Sequence, residues 1–124
     1  MLAVWTQTDG TSGNIWANRL SSRGWGTAVH IESDATNARL PQVAVDSFGN
    51  GIAVWQQIDR IGRFNIYANR FVVASGWGTA TLVETDNSGS TADRKLVIDP
   101  SGTGTAVWWR DTGNQRDIFA NTFD

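Results

Sequence analysis

Two tryptophans follow a tight glycine turn in the same local sequence, Gly24-Trp25-Gly26-Thr27-Ala28 and Gly76-Trp77-Gly78-Thr79-Ala80. A rigid indole face held on a turn is a platform for the apolar face of a sugar ring. Asn18, Asn69 and Asn121 recur beside these turns, and Arg19 and Arg70 follow the first two. Carboxamides and guanidinium groups are hydrogen-bond partners for hydroxyls. Trp25, Trp77, Asn18, Asn69, Arg19 and Arg70 are therefore the candidate ligand-binding residues. The same two tryptophans equally suit a packing role that plugs the gap between neighbouring sheets, and residue type alone leaves both roles open.

Catalytic and metal chemistry have fewer residues to draw on. His30 is the single histidine and there is no cysteine, so neither a nucleophilic triad nor a thiolate metal site is assembled. The loops Asp9–Asn14, Asp86–Ser90 and Asp111–Asn114 place oxygen ligands near glycine. Calcium takes six to eight oxygens, and the EF-type pattern needs a distal glutamate that none of these loops supplies. Asx turns account for the loops instead. Asp46 and Asp99 stand at recurrent glycine-rich turns and read as turn caps. The chain is expected to use no metal and no cofactor, and to be non-catalytic.

These residues sit on a repeat. Ala3-Val4-Trp5, Ala53-Val54-Trp55 and Ala106-Val107-Trp108 open three copies. Asn14-Ile15-Trp16-Ala17-Asn18, Asn65-Ile66-Tyr67-Ala68-Asn69 and Asp117-Ile118-Phe119-Ala120-Asn121 follow in the same order. A period of about 50 residues is the signature of one supersecondary unit used several times. Within each copy, short β-branched runs alternate with Gly, Asn, Asp and Ser clusters, which reads as successive antiparallel strands. No apolar stripe of helical period and length occurs. With strands labelled a to d, the chain reads b-c-d, a-b-c-d, a-b-c. Strand a is Pro41–Asp46 and again Lys95–Asp99, b carries each Ala-Val-Trp, c each Ile-aromatic-Ala-Asn, and d follows each Gly-Trp-Gly-Thr. The expectation is an all-β, β-propeller-like chain of about 2.5 to 3 four-stranded antiparallel blades. Residues 1–124 form one repeat domain, with blade repeats at approximately 1–38, 39–91 and 92–124.

Bulk properties narrow the partners. A hydrophobic fraction of 40% with 18% charged residues is that of a folding chain rather than a disordered one. The formal charge of −2 supplies no basic face for nucleic acid. No run approaches the roughly 18 apolar residues of a spanning helix, so membrane insertion is not expected. Met1-Leu2 runs directly into the first repeat, so no signal peptide is expected, and the compartment stays unassigned.

The succession Pro41-Gln42-Val43-Ala44-Val45-Asp46, Ala53-Val54-Trp55, Asn65-Ile66-Tyr67-Ala68-Asn69-Arg70 and Ser75-Gly76-Trp77 resembles blades of sialidase-like propellers. It also resembles repeats of large bacterial surface proteins of unassigned function. In the sialidase-like group the c–d turn carries an Asp-box, Ser-x-Asp-x-Gly-x-x-Trp. Ser21–Trp25 and Val73–Trp77 keep its Gly and Trp and lack its aspartate. The resemblance would imply an arginine cluster, a tyrosine nucleophile and a carboxylate base. Arg39-Leu40-Pro41 resembles the arginine motif, but the next repeat has Ala92-Asp93-Arg94. Tyr67, the only tyrosine, is replaced by Trp16 and Phe119 in the sister copies, which suits a packing aromatic rather than a nucleophile.

Closed propellers have about four to eight blades, so an arc of three is expected to close by self-association as a homodimer or higher ring. Trp109 stands where the other copies have Thr6 and Gln56, and is assigned to an interface or a channel wall. The resulting expectation is a non-catalytic, lectin-like module with a glycan as ligand. The alternatives are a structural or protein–protein scaffold and, behind it, a sialidase-like glycosidase.

Overall fold

The computed structural model describes residues 1–84 and 90–124, apart from the side chains of Ser90, Ala92 and Asp93. The described residues form strands, turns and loops, with no helix among them. They build three antiparallel sheets. The first contains β1 (Leu2–Thr8), β2 (Gly13–Ser21), β3 (Gly24–Trp25) and β4 (Val29–His30). The second contains β5 (Ala38–Val45), β6 (Gly51–Ile58), β7 (Phe64–Val72), β8 (Gly76–Trp77) and β9 (Thr81–Leu82). The third contains β10 (Ser90–Ile98), β11 (Gly104–Asp111) and β12 (Arg116–Phe123).

The sequence repeat is a repeat of strand register. Trp5 lies opposite Trp16, Trp55 opposite Tyr67 and Trp108 opposite Phe119. Because side chains alternate between faces, equivalent residues then occupy equivalent faces in all three sheets. In the second sheet, Ile52 and Val54 pack with Ala106 and Trp108 of the third. The intervening Ala53 and Trp55 pack with Ile15 and Ala17 of the first. β6 is therefore buried from Gly51 through Gln57, and a strand covered on both faces loses its polar alternation. Each sheet thus has a leading face, turned toward the next sheet in chain order, and a trailing face turned toward the one before.

The sheets lock by a bulky side chain seated on a glycine. A methyl group added at Gly51 would lie 2.6 Å from Leu2 Cδ1, and one added at Gly104 would lie 2.6 Å from Ile52 Cδ1. Asparagines add hydrogen bonds across the same gaps. Asn69 Nδ2 donates to the Ile31 carbonyl at 2.8 Å, and Asn121 Nδ2 donates to the Val83 carbonyl at 2.7 Å.

Two strand assignments differ from the expected ones. The a strands begin earlier, running through a register shift between Arg39 and Gln42 and between Ala92 and Arg94. At the first shift Leu40 takes a φ of 54°, a conformation that bends the ladder at Pro41 rather than ending it. The d strand starts at Gly-Trp itself and is split in two, β3 and β4 in the first sheet and β8 and β9 in the second. The cause is a side chain. Asn18 Nδ2 and Asn69 Nδ2 each donate to the carbonyl of Gly26 or Gly78 at 3.0 Å, taking an acceptor that an unbroken ladder would use.

The aspartate-glycine turns are Asx turns. Asp46 Oδ1 accepts the N–H groups of Phe48 and Asn50, and Asp99 Oδ1 accepts that of Thr103. Asp9 Oδ1 accepts from Thr11 and Ser12, and Asp111 Oδ1 accepts from Gly113. Hydrogen bonds reaching a carboxylate lower its pKa; backbone N–H groups lead for Asp9 and Asp111, the Asn50 side chain for Asp46 and the Ser101 hydroxyl for Asp99. In the Asp86–Ser90 loop, residues 85–89 and the Ser90 side chain lie outside the described residues.

Candidate functional site

The outer strands leave a groove wherever two sheets meet. The larger one, of about 430 Å³, lies between the first and second sheets. Asn18, Arg19 and Thr27 border it from the first sheet, and Phe71, Trp77 and Gly78 from the second. The register places Phe71 opposite Trp77, and their rings meet edge to face with centroids 5.4 Å apart. Arg19, on the leading face of the first sheet, holds its guanidinium 5.5 Å from the centre of the Phe71 ring. The groove therefore joins an aromatic wall to a cation, a combination suited to a polar ligand with an apolar face.

A second groove, of about 250 Å³, repeats this place between the second and third sheets. Asn69 and Arg70 take the positions of Asn18 and Arg19, and Phe123 that of Phe71. Here the donors are committed to the fold. Arg70 Nη1 donates to the Gly102 carbonyl at 2.9 Å. Asn69 is buried, with its amide hydrogens on Ile31 and Gly78. Asn18 is only partly buried; its Oδ1 accepts the Arg19 N–H at 2.7 Å.

The six expected ligand residues thus separate. Asn18, Arg19 and Trp77 share the first groove, and Asn69 and Arg70 border the second. Trp25 lies on the trailing face of the first sheet, where no sheet of the described residues covers it, and is 54% exposed. Trp109 lies on the leading face of the third sheet, opposite Ile118 in register and beneath the Arg116 guanidinium at 4.7 Å.

Residues tied to the enzyme resemblance are engaged in packing. Tyr67 stacks on Trp55 with ring centroids 6.4 Å apart. Burial raises its pKa, reinforced by the negative charges of Asp34, Asp59 and Glu84. Arg39 lies 3.9 Å over the Phe64 ring and donates from Nε to Gln56 Oε1 at 3.3 Å.

Two features escaped the sequence reading. Val29 and His30 border the first groove, and the His30 ring stands edge-on to Trp16 at 3.9 Å. Glu84 and Arg110 form a buried ion pair. The recurrence of Ile31-Glu32 as Val83-Glu84 was the available signal: Glu32 and Glu84 accept the N–H groups of Ile15 and Ile66 at 2.8 and 3.0 Å.

At the level of class, fold and site define an all-β protein of three antiparallel sheets with repeated inter-sheet grooves. Compared with known proteins, the chain matches no family model and no curated protein.

Proposed function

We propose that the three sheets are blades of a β-propeller-like array and that the chain is a non-catalytic, lectin-like binding module. The observation that carries the reading is the first groove, where the Trp77–Phe71 wall faces Arg19 across about 430 Å³. A sugar ring stacks its apolar face on Trp77 while its hydroxyls meet Arg19 and the polar groups of Asn18 and Thr27. Asn69 and Arg70 hold the sheets in place and act as supports. Trp25, the sequence equivalent of Trp77, offers a second aromatic face at the corresponding groove of the closed array. The array closes by association with further sheets, which covers the apolar faces left at its two ends.

A scaffold function is the second reading, and one observation favours it. Trp77 also packs against the buried cluster formed by Ile15, Ala53 and Trp55, so its ring serves cohesion as well. Titration of tryptophan fluorescence with a panel of neutral and acidic glycans separates the two. Saturable quenching that disappears in folded Trp77→Ala and weakens in Arg19→Ala supports the lectin. Absence of any response across the panel rejects it in favour of the scaffold.

A further inference from the structure

The two sheet-to-sheet junctions inside the chain follow one rule: a leading face packs on a trailing face. At the first junction Leu2, Val4, Ile15 and Ala17 meet the face of Ala53 and Trp55. At the second, Ile52, Val54, Ile66 and Ala68 meet the face of Ala106 and Trp108. Among the described residues, two faces are left without a sheet. The leading face of the third sheet presents Val97, Val107, Trp109 and Ile118, of which Val97 is 62% and Ile118 73% exposed. The trailing face of the first presents Ala3, Trp5, Trp16 and Trp25. These are the two halves of the junction that the chain already makes twice.

We infer that the leading face of the third sheet docks on the trailing face of the first sheet of a second copy, head to tail. The inference rests on the blade reading above and not on the ligand. Val107 and Ile118 hold the positions of Val54 and Ile66, and Trp5 holds that of Trp55, including the indole N–H donated to the glutamine two residues on. Trp25 and Trp77 are sequence equivalents, yet Trp77, covered by the first sheet, is half-buried while Trp25 is exposed. The steric key is also met, with its halves exchanged. Within the chain a bulky residue sits on glycine, Leu2 on Gly51 and Ile52 on Gly104. On the free faces the same positions hold Thr105 and Met1, so the larger side chain has moved to the other partner and large still meets small. Leading on leading, as a same-face pair requires, has no precedent in the molecule. A head-to-tail contact is heterologous and generates a ring when its rotation closes.

The test is solution mass by light scattering, without ligand, over a rising concentration series. The expected mass is at least twice the 13.5 kDa of one chain. Ile118→Glu blocks the leading face and Trp5→Glu the trailing face; each is expected to run as a monomer with an unchanged circular dichroism spectrum. Ala3→Glu repeats the trailing-face block with every aromatic retained, in case Trp5→Glu does not fold. An equimolar mixture of a leading-face and a trailing-face variant keeps one competent junction and is expected to recover a dimer. A wild-type chain that stays monomeric overturns the inference. So does a trailing-face variant that still self-associates, because that marks a same-face dimer. Mass and glycan titration are read independently, so failure of one leaves the other standing.

Discussion

Arg110 Nη2 lies 3.0 Å from Glu84 Oε2, and both side chains are 1% exposed. Glu84 sits at the end of the second sheet and Arg110 on β11 of the third, so the pair ties two sheets together. Arg110 also lies 4.4 Å over the Phe119 ring. It occupies the position of Gln7 and Gln57, whose Oε1 atoms accept the indole N–H of Trp5 and Trp55 at 3.2 and 2.9 Å. Arginine has no acceptor, and Trp108 Nε1 is accordingly buried without a hydrogen bond. The third sheet has exchanged one buried hydrogen bond for one buried ion pair.

Removing either partner takes a hydrogen-bonded counter-charge away from a buried charge, which costs about 3 kcal/mol or more. Glu84→Gln and Arg110→Gln are each expected to lower stability by that order in urea denaturation. The double variant is expected to recover more than half of the summed loss, because the amide introduced by Arg110→Gln provides Trp108 with an acceptor and both members of the pair are neutralised together. Simple additivity would mean that the two groups do not act as a pair.

Gly104→Ala forces a methyl group against Ile52 Cδ1. Overpacking of this kind costs about 1–3 kcal/mol. Ile52→Val removes the clashing carbon at a cost of about 0.5–1.5 kcal/mol, so the double variant is expected to be more stable than Gly104→Ala alone. Thermal unfolding of the three variants beside the parent reads this directly.

Asn69 and Asn18 are sequence equivalents with different bonding. Asn69→Ala frees two carbonyls, Ile31 and Gly78, in a buried setting, and about 2 kcal/mol of stability is expected to go. Asn18→Ala frees the Gly26 carbonyl and the Arg19 N–H at a more exposed site, where water replaces both bonds, and is expected to cost less. A reversed order in denaturant midpoints would contradict the structural assignment of Asn69.

Acid weakens the turns. Asp46 is held below its ordinary value of 3.8, chiefly by the Asn50 side chain and then by backbone N–H groups, and Asp99 chiefly by the Ser101 hydroxyl and the Thr103 N–H. A folded-state pKa below the unfolded one contributes stability above the unfolded value, and that contribution disappears as pH falls through the folded value. Urea midpoints are expected to fall on acidification from about pH 5 to pH 2, and less steeply in Asp46→Asn/Asp99→Asn. Tyr67 has the opposite sign: its pKa is raised above 10.0, so its contribution is complete below that value and is lost as pH rises through the folded value. Tyr67→Phe is expected to flatten the alkaline limb in the same measurement.

Much of this architecture is legible in the repeated motifs. Ala-Val-Trp and Ile-aromatic-Ala-Asn announce paired strands, and Trp55 lies opposite Tyr67 as their order implies. Aspartate before a glycine-rich turn is a local signal, and Asp46 and Asp99 cap their turns. The split of the outer strand was not legible, because it follows from Asn18 and Asn69 reaching carbonyls on a neighbouring strand. Nor did the chain announce that Arg19 faces a groove while Arg70 is tied to Gly102.

By itself the sequence determined the all-β class, the order of the strands and the turn chemistry, since these arise from side-chain alternation and from hydrogen bonds between residues close along the chain. Only the tertiary structure decided which copies of a repeated residue are committed and which are free. Identical side chains meet different neighbours once the sheets stack. Trp77 is covered and Trp25 is not, Asn69 bonds across a junction, and Glu84 is buried against Arg110 while Glu32 borders an open groove. Burial and partnership belong to the interface between sheets, and a single strand carries no information about what will be packed against it.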